Sequence, residues 1–172
     1  MTTSTTDTTP TREARIEADP ELPTVRITRS FDAPLPLVYR AWTDPELVAQ
    51  WLGPRSIDME IETWDLRTGG EYRYTARRDD EELAHFYGSF HKVVPNERIT
   101  QTWGFDEMPD AVSLETATFT DLGDGRTEVD ILSVVFSMEE RAAMLASGME
   151  VGINEGYAKL DEILAEQTGS AR

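Results

Sequence analysis

The chain contains two histidines, His85 and His91, whose imidazoles are suited to acid–base catalysis or to metal binding. They lie six residues apart in a segment with strand character. This spacing is about 20 Å along a strand, too far for both to bind one metal ion. It puts both on one face, unless Gly88 between them introduces a bulge. The favoured interpretation is that they are exposed or held within the core, and the alternative is an acid–base role inside a cavity.

Carboxylates are the other abundant chemical groups, and they cluster on two predicted strands: Glu60, Glu62, Asp65, Glu128 and Asp130. Alternation puts most of them on the outer face of a sheet, which favours a solvated surface over a paired-carboxylate catalytic site. Ser89 and Ser133 have no neighbouring base in the sequence. No GxSxG, P-loop or GxGxxG motif is present, so the sequence predicts no catalytic residue and no cofactor.

Large aromatic residues are too numerous to be only surface decoration. The set predicted to line the mouth and wall of a pocket is Trp51, Trp64, Tyr74, Phe90 and Trp103. The alternative for each of these side chains is ordinary packing in the core.

Three glycines, Gly148, Gly152 and Gly156, are spaced four apart in a predicted helix and therefore share one strip of its surface. Each costs about 1 kcal/mol relative to alanine in a helix interior, so something must offset that cost. One explanation is close packing of the helix against a sheet. The other is space for a ligand, which neighbouring adaptable residues would line: Met144, Met149 and Ile153.

The elements that would position these residues begin with a strand at Val25 to Phe31, followed at once by two short helices. Pro34 and Pro36 suit the first turn of one helix. Asp44 is the predicted N-cap of the second, and Pro45 is its first residue.

From Ile57 to Phe136 the apolar residues mostly alternate with polar ones, which predicts a series of antiparallel strands joined by hairpins. Ser137 and Glu140 then form a capping box that opens one long helix. We therefore predict an α+β fold with a seven-stranded antiparallel sheet, two short helices after the first strand and a long C-terminal helix. Residues 1–23 form a predicted disordered acidic tail, residues 24–166 the domain and residues 167–172 a C-terminal tail.

Five segments carry a resemblance to a known family: FDAPLPLVYRAWTDPELVAQWLGP, DLRTGGEYRY, YGSFHKVVPNERITQTW, FTDLGDGRTEV and GMEVGINEGYAKLDEIL. They resemble the SRPBCC (START-like) superfamily, and within it the branch named for homology to the activator of heat-shock-protein-90 ATPase. The resemblance spans roughly residues 25–166. It implies the helix-grip fold, in which a curved sheet wraps around the C-terminal helix and leaves a cavity between them. Superfamily members bind lipids, sterols, polyketides and other hydrophobic molecules, and a few catalyse cyclisation, dehydration or hydrolysis.

Composition narrows the classes of partner. The net charge of −17 disfavours binding to nucleic acid or to an anionic membrane, and the absence of cysteine excludes disulfides and thiolate metal sites. No segment resembles a membrane span or a signal peptide, so the expected location is the cytoplasm, with the protein a monomer or homodimer.

Three functions remain from the sequence. The first is binding of a small hydrophobic or aromatic molecule in the cavity, with His85 and His91 as candidate polar groups there. The second, implied by the resemblance, is co-chaperone-like activation of a heat-shock-protein-90 type ATPase. The third is a cyclase or dehydratase type of enzyme, which requires an ionisable side chain inside the cavity.

Overall fold

A single antiparallel sheet of eight strands frames the protein, and the computed structural model describes residues 12–169. The strands are β1 (Arg15–Ala18), β2 (Thr24–Phe31), β3 (Asp58–Trp64), β4 (Glu71–Arg78), β5 (Glu81–Val94), β6 (Arg98–Phe105), β7 (Met108–Gly123) and β8 (Arg126–Val134). Their order across the sheet is β1-β2-β8-β7-β6-β5-β4-β3. Strands β3 to β8 thus follow one another as hairpins, and β2 closes the other side by pairing with β8.

Four helices accompany the sheet: α1 (Leu35–Thr43), α2 (Pro45–Trp51), α3 (Met138–Ala146) and α4 (Met149–Gly169). The predicted helix pair is present, and Asp44 caps α2 by accepting a 3.0 Å hydrogen bond from the Glu46 backbone N–H. The α+β helix-grip fold predicted from the sequence is confirmed.

The strand count and the ends of the domain differ from the sequence prediction. Residues Arg15–Ala18, which fell within the predicted disordered tail, form β1 and pair with β2 at the edge of the sheet. Residues 1–11 lie outside the described part of the chain. At the other end α4 continues to Gly169, beyond the predicted boundary at 166, and residues 170–172 lie outside the described range.

The predicted single C-terminal helix is two helices. The helix is interrupted at Ser147 and Gly148, between α3 and α4, where Gly148 adopts a φ of +82°. This left-handed conformation is one that glycine adopts without the steric cost of a Cβ. Helix α4 is therefore the long helix of the helix-grip fold, and α3 is a separate helix that precedes it in the chain.

Helix α4 is fixed to the sheet by apolar packing and by one buried ion pair. Its Leu160 and Leu164 are fully buried in a core that also contains Phe31. The Arg29 guanidinium, with only 4% of its side chain exposed, donates to both carboxylate oxygens of Asp161 and also to the backbone carbonyl of Ser30. A buried charge is tolerated when it is paired and hydrogen-bonded in this way.

Candidate functional site

A cavity of about 600 Å³ lies between the concave face of the sheet and the helices. Strands β4 to β8 supply most of one wall, while α2, α3 and α4 supply the opposite one. A packed interior rarely holds voids much larger than a water molecule. The cavity is thus a clear departure from close packing.

Stacked aromatic rings from three adjacent strands form the far wall. Tyr74 of β4 stacks on Phe86 of β5 with ring centroids 5.0 Å apart, and Phe86 stacks on Trp103 of β6 at 5.3 Å. The indole N–H of Trp103 donates a 3.0 Å hydrogen bond to the Tyr74 hydroxyl. Tyr72 continues the row, since its ring lies nearly parallel to that of Tyr74. This arrangement presents a continuous apolar and polarisable surface to the cavity.

Two further tryptophans border the cavity at the helix pair, and their indole groups are held in place. The Trp51 N–H donates to the Ala41 carbonyl, and the Trp64 N–H donates to the Thr43 carbonyl, each at 2.8 Å. Because both polar atoms are satisfied by the backbone, the rings turn apolar surface to the space between them. The pocket wall at this end is therefore pre-formed.

Every residue that the sequence predicted to line the cavity does so, with the exception of Gly148: Trp51, Trp64, Tyr74, Phe90, Trp103, Met144, Met149, Gly152 and Ile153. That these side chains contact a ligand stays a prediction. Gly148 is not among the lining residues. It lies between α3 and α4, where the helix is interrupted.

The glycine strip serves two purposes, one at each of its remaining positions. A Cβ at Gly156 would lie 2.8 Å from the Trp51 carbonyl oxygen, so this glycine lets α4 pack directly against the end of α2. A Cβ at Gly152 would meet only the Pro54 ring, at an ordinary 3.6 Å. Close packing thus explains Gly156, while Gly152 borders the cavity without being required sterically.

Neither histidine lies in the cavity, which corrects their assignment as candidate polar groups there. His85 is on the outer side of the sheet, where its ring nitrogens lie 3.0 Å from Glu82 and 3.1 Å from Glu107. Hydrogen bonds to Glu107 and to Glu82 raise the pKa of His85 above its ordinary value. His91 is exposed beside an irregularity in β5 between Phe90 and Lys92.

The predicted outer-face carboxylates also lie away from the cavity. Glu60 forms an exposed ion pair with Arg77, and Asp130 forms one with Arg26. Glu62, Asp65 and Glu128 are likewise absent from the cavity lining. The expectation of a solvated outer face therefore agrees with their placement.

The cavity lining includes a carboxylate that the sequence analysis did not identify, that of Glu115 on β7. Its side chain borders the cavity, and its Oε1 accepts hydrogen bonds from Ser113 at 3.4 Å and from Ser133 at 3.3 Å. Among the described residues, none donates a hydrogen bond to the second oxygen, Oε2. Burial raises the pKa of Glu115, and the two serine hydrogen bonds oppose that rise only in part.

The signal for Glu115 was present in the alternation along β7. Ser113, Ala117 and Phe119 are buried on the inner face of the sheet, and Glu115 has the same parity. A charged residue at an inward position of an otherwise apolar strand face is the pattern that identifies it.

Buried phenols surround this carboxylate. Burial, with a further contribution from the charge of Glu115, raises the pKa of Tyr157 on α4, and burial also raises the pKa values of Tyr72 and Tyr74. Tyr72 donates to the Thr102 carbonyl at 2.7 Å and accepts from Gln101 at 3.4 Å. The phenols are therefore neutral hydrogen-bonding groups at neutral pH, and the cavity has one polar region within apolar walls.

The family model described as Activator of Hsp90 ATPase homolog 1-like protein matches residues 32–165, which includes α1, α2, most of the sheet and nearly all of α4. The chain belongs to this family. It is thus a member of the corresponding branch of the SRPBCC superfamily, as the sequence motifs predicted.

Several solved structures have a similar fold. A protein from Arthrobacter aurescens is 27% identical, with a TM-score of 0.79 over 88% of this chain and 91% of that one. Protein Ms6760 from Mycobacterium smegmatis is 26% identical, with a TM-score of 0.78 over 87% and 95%. A protein from Rhodobacter sphaeroides is 24% identical, with a TM-score of 0.82 over 90% and 99%. No curated protein matches the chain.

The described part of the chain contains neither a metal-binding group of side chains nor a membrane-spanning helix. Residues 12–169 contain no group of three or more histidine, cysteine, aspartate or glutamate side chains arranged to hold a metal ion. No helix in the same range is long and apolar enough to cross a membrane.

Proposed function

We propose that this protein binds a small, mostly apolar and aromatic molecule in the cavity between the sheet and α4. The observation that carries the proposal is the cavity itself, of about 600 Å³ and bordered by aligned aromatic rings. Pockets for small molecules usually measure about 300–1,000 Å³ and combine apolar walls with a few polar groups. The Glu115 region supplies such groups.

Stability alone does not explain the arrangement. Filling a void of this size with larger side chains would gain dispersion contacts and buried apolar area. The chain instead keeps small residues such as Ser113, Ala143 and Gly152 at the cavity surface, with a carboxylate among them. Conserving space at the expense of packing is expected where a ligand occupies that space.

The other two functions raised by the sequence have weaker support. Activation of a chaperone ATPase is what the family description names, but a contact with a large partner would not account for an interior cavity or a buried carboxylate. The enzyme hypothesis requires an ionisable side chain inside the cavity; its first candidates, His85 and His91, lie outside it, and the cavity offers Glu115 in their place. Ligand binding explains the features that the other functions leave unexplained.

The test is saturable binding of an uncharged, polarity-sensitive dye, Nile red. We expect its emission to shift to the blue with one site per chain. Replacing Ile153 by Trp, which adds bulk at the cavity wall, should weaken binding by about fivefold or more, because volume in a pre-formed pocket limits what it can hold.

The matched control is Val151→Trp, which places the same side chain two residues away on α4 at a position that is 59% exposed. Its dye affinity should stay within about twofold of the wild type, because the added ring lies in solvent. Absence of dye binding, or equal weakening by both variants, would contradict a binding site in the cavity. If the dye binds in the cavity as expected, mass spectrometry of molecules extracted from the purified protein is the way to identify a natural ligand.

A further inference from the structure

Glu115 gives the cavity a charge preference that its apolar walls alone would not have. One carboxylate oxygen accepts two long hydrogen bonds from Ser113 and Ser133, while Oε2 accepts none from the described residues. Oε2 is not enclosed by protein atoms but is open to the cavity. A carboxylate withdrawn from bulk water in this way is costly unless a further donor or a cation approaches it. The free oxygen therefore marks a position where a ligand group would be stabilised.

No basic side chain supplies that partner. The charged residues among the described cavity lining are Glu115 and Glu140, and no lysine or arginine is found there. Arg29, whose charge acts on Tyr157, does not border the cavity and donates to Asp161 and to the backbone carbonyls of Ser30 and Arg12. The interior thus favours positive charge and disfavours negative charge.

The charge of the whole protein acts in the same direction. The net charge of −17 draws cations toward the protein and repels anions at low ionic strength. The stacked rings of Tyr74, Phe86 and Trp103 add an apolar wall for the hydrocarbon part of a ligand. The carboxylate and the overall field therefore select for one sign of charge.

We propose that the cavity binds an apolar organic amine, with the protonated nitrogen against Glu115 and the hydrocarbon part against the aromatic wall. This inference rests on the proposed function, since it names the chemical class of the ligand that occupies the same cavity. Carboxylates such as fatty acids are excluded, because their charged group would meet Glu115 without a compensating base.

Three probes with one skeleton test the assignment: phenylbutylamine, phenylbutanol and phenylbutyrate, titrated calorimetrically at neutral pH. The amine should bind about tenfold or more tightly than the alcohol, the size expected for a charge-assisted hydrogen bond. The carboxylate should bind more weakly than the alcohol. Amine and alcohol should displace one another if they share the cavity.

Glu115→Gln keeps the shape of the side chain and removes its charge. It should abolish the advantage of the amine over the alcohol, because the neutral amide cannot form an ion pair with the ammonium group. The matched control is Glu128→Gln, which removes one negative charge from the outer face of β8 and should retain the amine preference.

The outcomes separate the two proposals. Equal affinities for amine, alcohol and carboxylate would overturn the amine assignment while leaving apolar binding intact. An amine preference that survives Glu115→Gln, or is lost equally in Glu128→Gln, would overturn it as well. Failure of the alcohol to bind would instead contradict the proposed function, because the uncharged alcohol needs no ion pair with Glu115 to enter the apolar cavity.

Discussion

At the scale of single residues, Glu115 is the side chain whose chemistry is least compatible with its surroundings. Its inward position on β7 puts a carboxylate among aromatic rings, with only two serine hydroxyls as hydrogen-bond donors. A residue that lowers stability and is not needed for the fold is typical of a binding site, where function and stability compete. Its energetic cost can be measured directly.

We predict that Glu115→Gln stabilises the protein at neutral pH. The folded-state pKa of Glu115 is raised above 4.5, so the folded chain binds its proton more tightly than the unfolded chain. Wild-type stability therefore falls as pH rises from about 4.5 through the folded pKa, whereas the glutamine variant does not share this loss. The gain at about pH 8 measures the free-energy cost of ionising Glu115 in the folded protein.

Urea unfolding of both proteins at about pH 4 and about pH 8 checks the prediction, because the difference should nearly vanish at the lower pH. Glu128→Gln, on the outer face, is the control for loss of one negative charge. A variant less stable than the wild type at about pH 8 would mean that the ionised carboxylate is stabilised by its surroundings.

At the scale of elements, the sequence predicted those parts of the fold that have local signals. The helix pair was readable because Pro36, Asp44 and Pro45 mark helix starts. The hairpin before β8 was readable because Gly123, Asp124 and Gly125 are residue types that favour tight turns. All three adopt the positive φ that such turns require.

Elements whose formation depends on distant contacts were missed. Strand β1 has only four residues, mostly exposed, and exists through its pairing with β2. The break at Gly148 was hidden because apolar residues continue with helical spacing on both sides. The inward position of Glu115 follows from the alternation along β7, but its polar neighbours Gln101 and Ser133 lie on adjacent strands that the sequence does not place beside it.

Helix α3 buries little of its surface against the rest of the protein. None of its described side chains is buried, whereas α4 buries Gly156, Tyr157, Leu160 and Leu164. It nevertheless covers part of the cavity through Ala143 and Met144. Few buried contacts imply a low free energy of local opening.

We predict that the backbone amides of α3 exchange with deuterium about tenfold or more faster than those of α1, because local opening there breaks fewer apolar contacts. Helix α1 is the matched reference, since it also has nine residues but buries Val38 and Ala41. Saturating phenylbutylamine should slow exchange in α3 and leave α1 unchanged, because a ligand in the cavity adds contacts to Met144. Exchange in α3 as slow as in α1, with or without the probe, would contradict this account.

At the scale of the whole molecule, the dominant property is an excess of negative charge, with 33 acidic and 16 basic residues. Ion pairs such as Arg26–Asp130 and Arg73–Asp106 compensate part of it on the outer face of the sheet. Because acids outnumber bases about twofold, the bases cannot neutralise all the carboxylates, and the mutual repulsion of the excess negative charge opposes the compact state. The same field favours entry of cations into a cavity whose lining contains no base.

We predict that salt stabilises this protein despite weakening its surface ion pairs. Raising NaCl from about 10 mM to about 1 M shortens the screening length from about 30 Å to about 3 Å, which removes repulsion among many carboxylates and attraction within few pairs. The melting temperature should rise by several degrees, since 1 kcal/mol corresponds to about 2–4 °C in a chain of this size. Repeating the scan at about pH 4, where many carboxyl groups are protonated, is the control and should give a smaller rise. A fall in melting temperature with salt at neutral pH would show that the ion pairs outweigh the repulsion, and would remove the overall field as a source of the preference for cations.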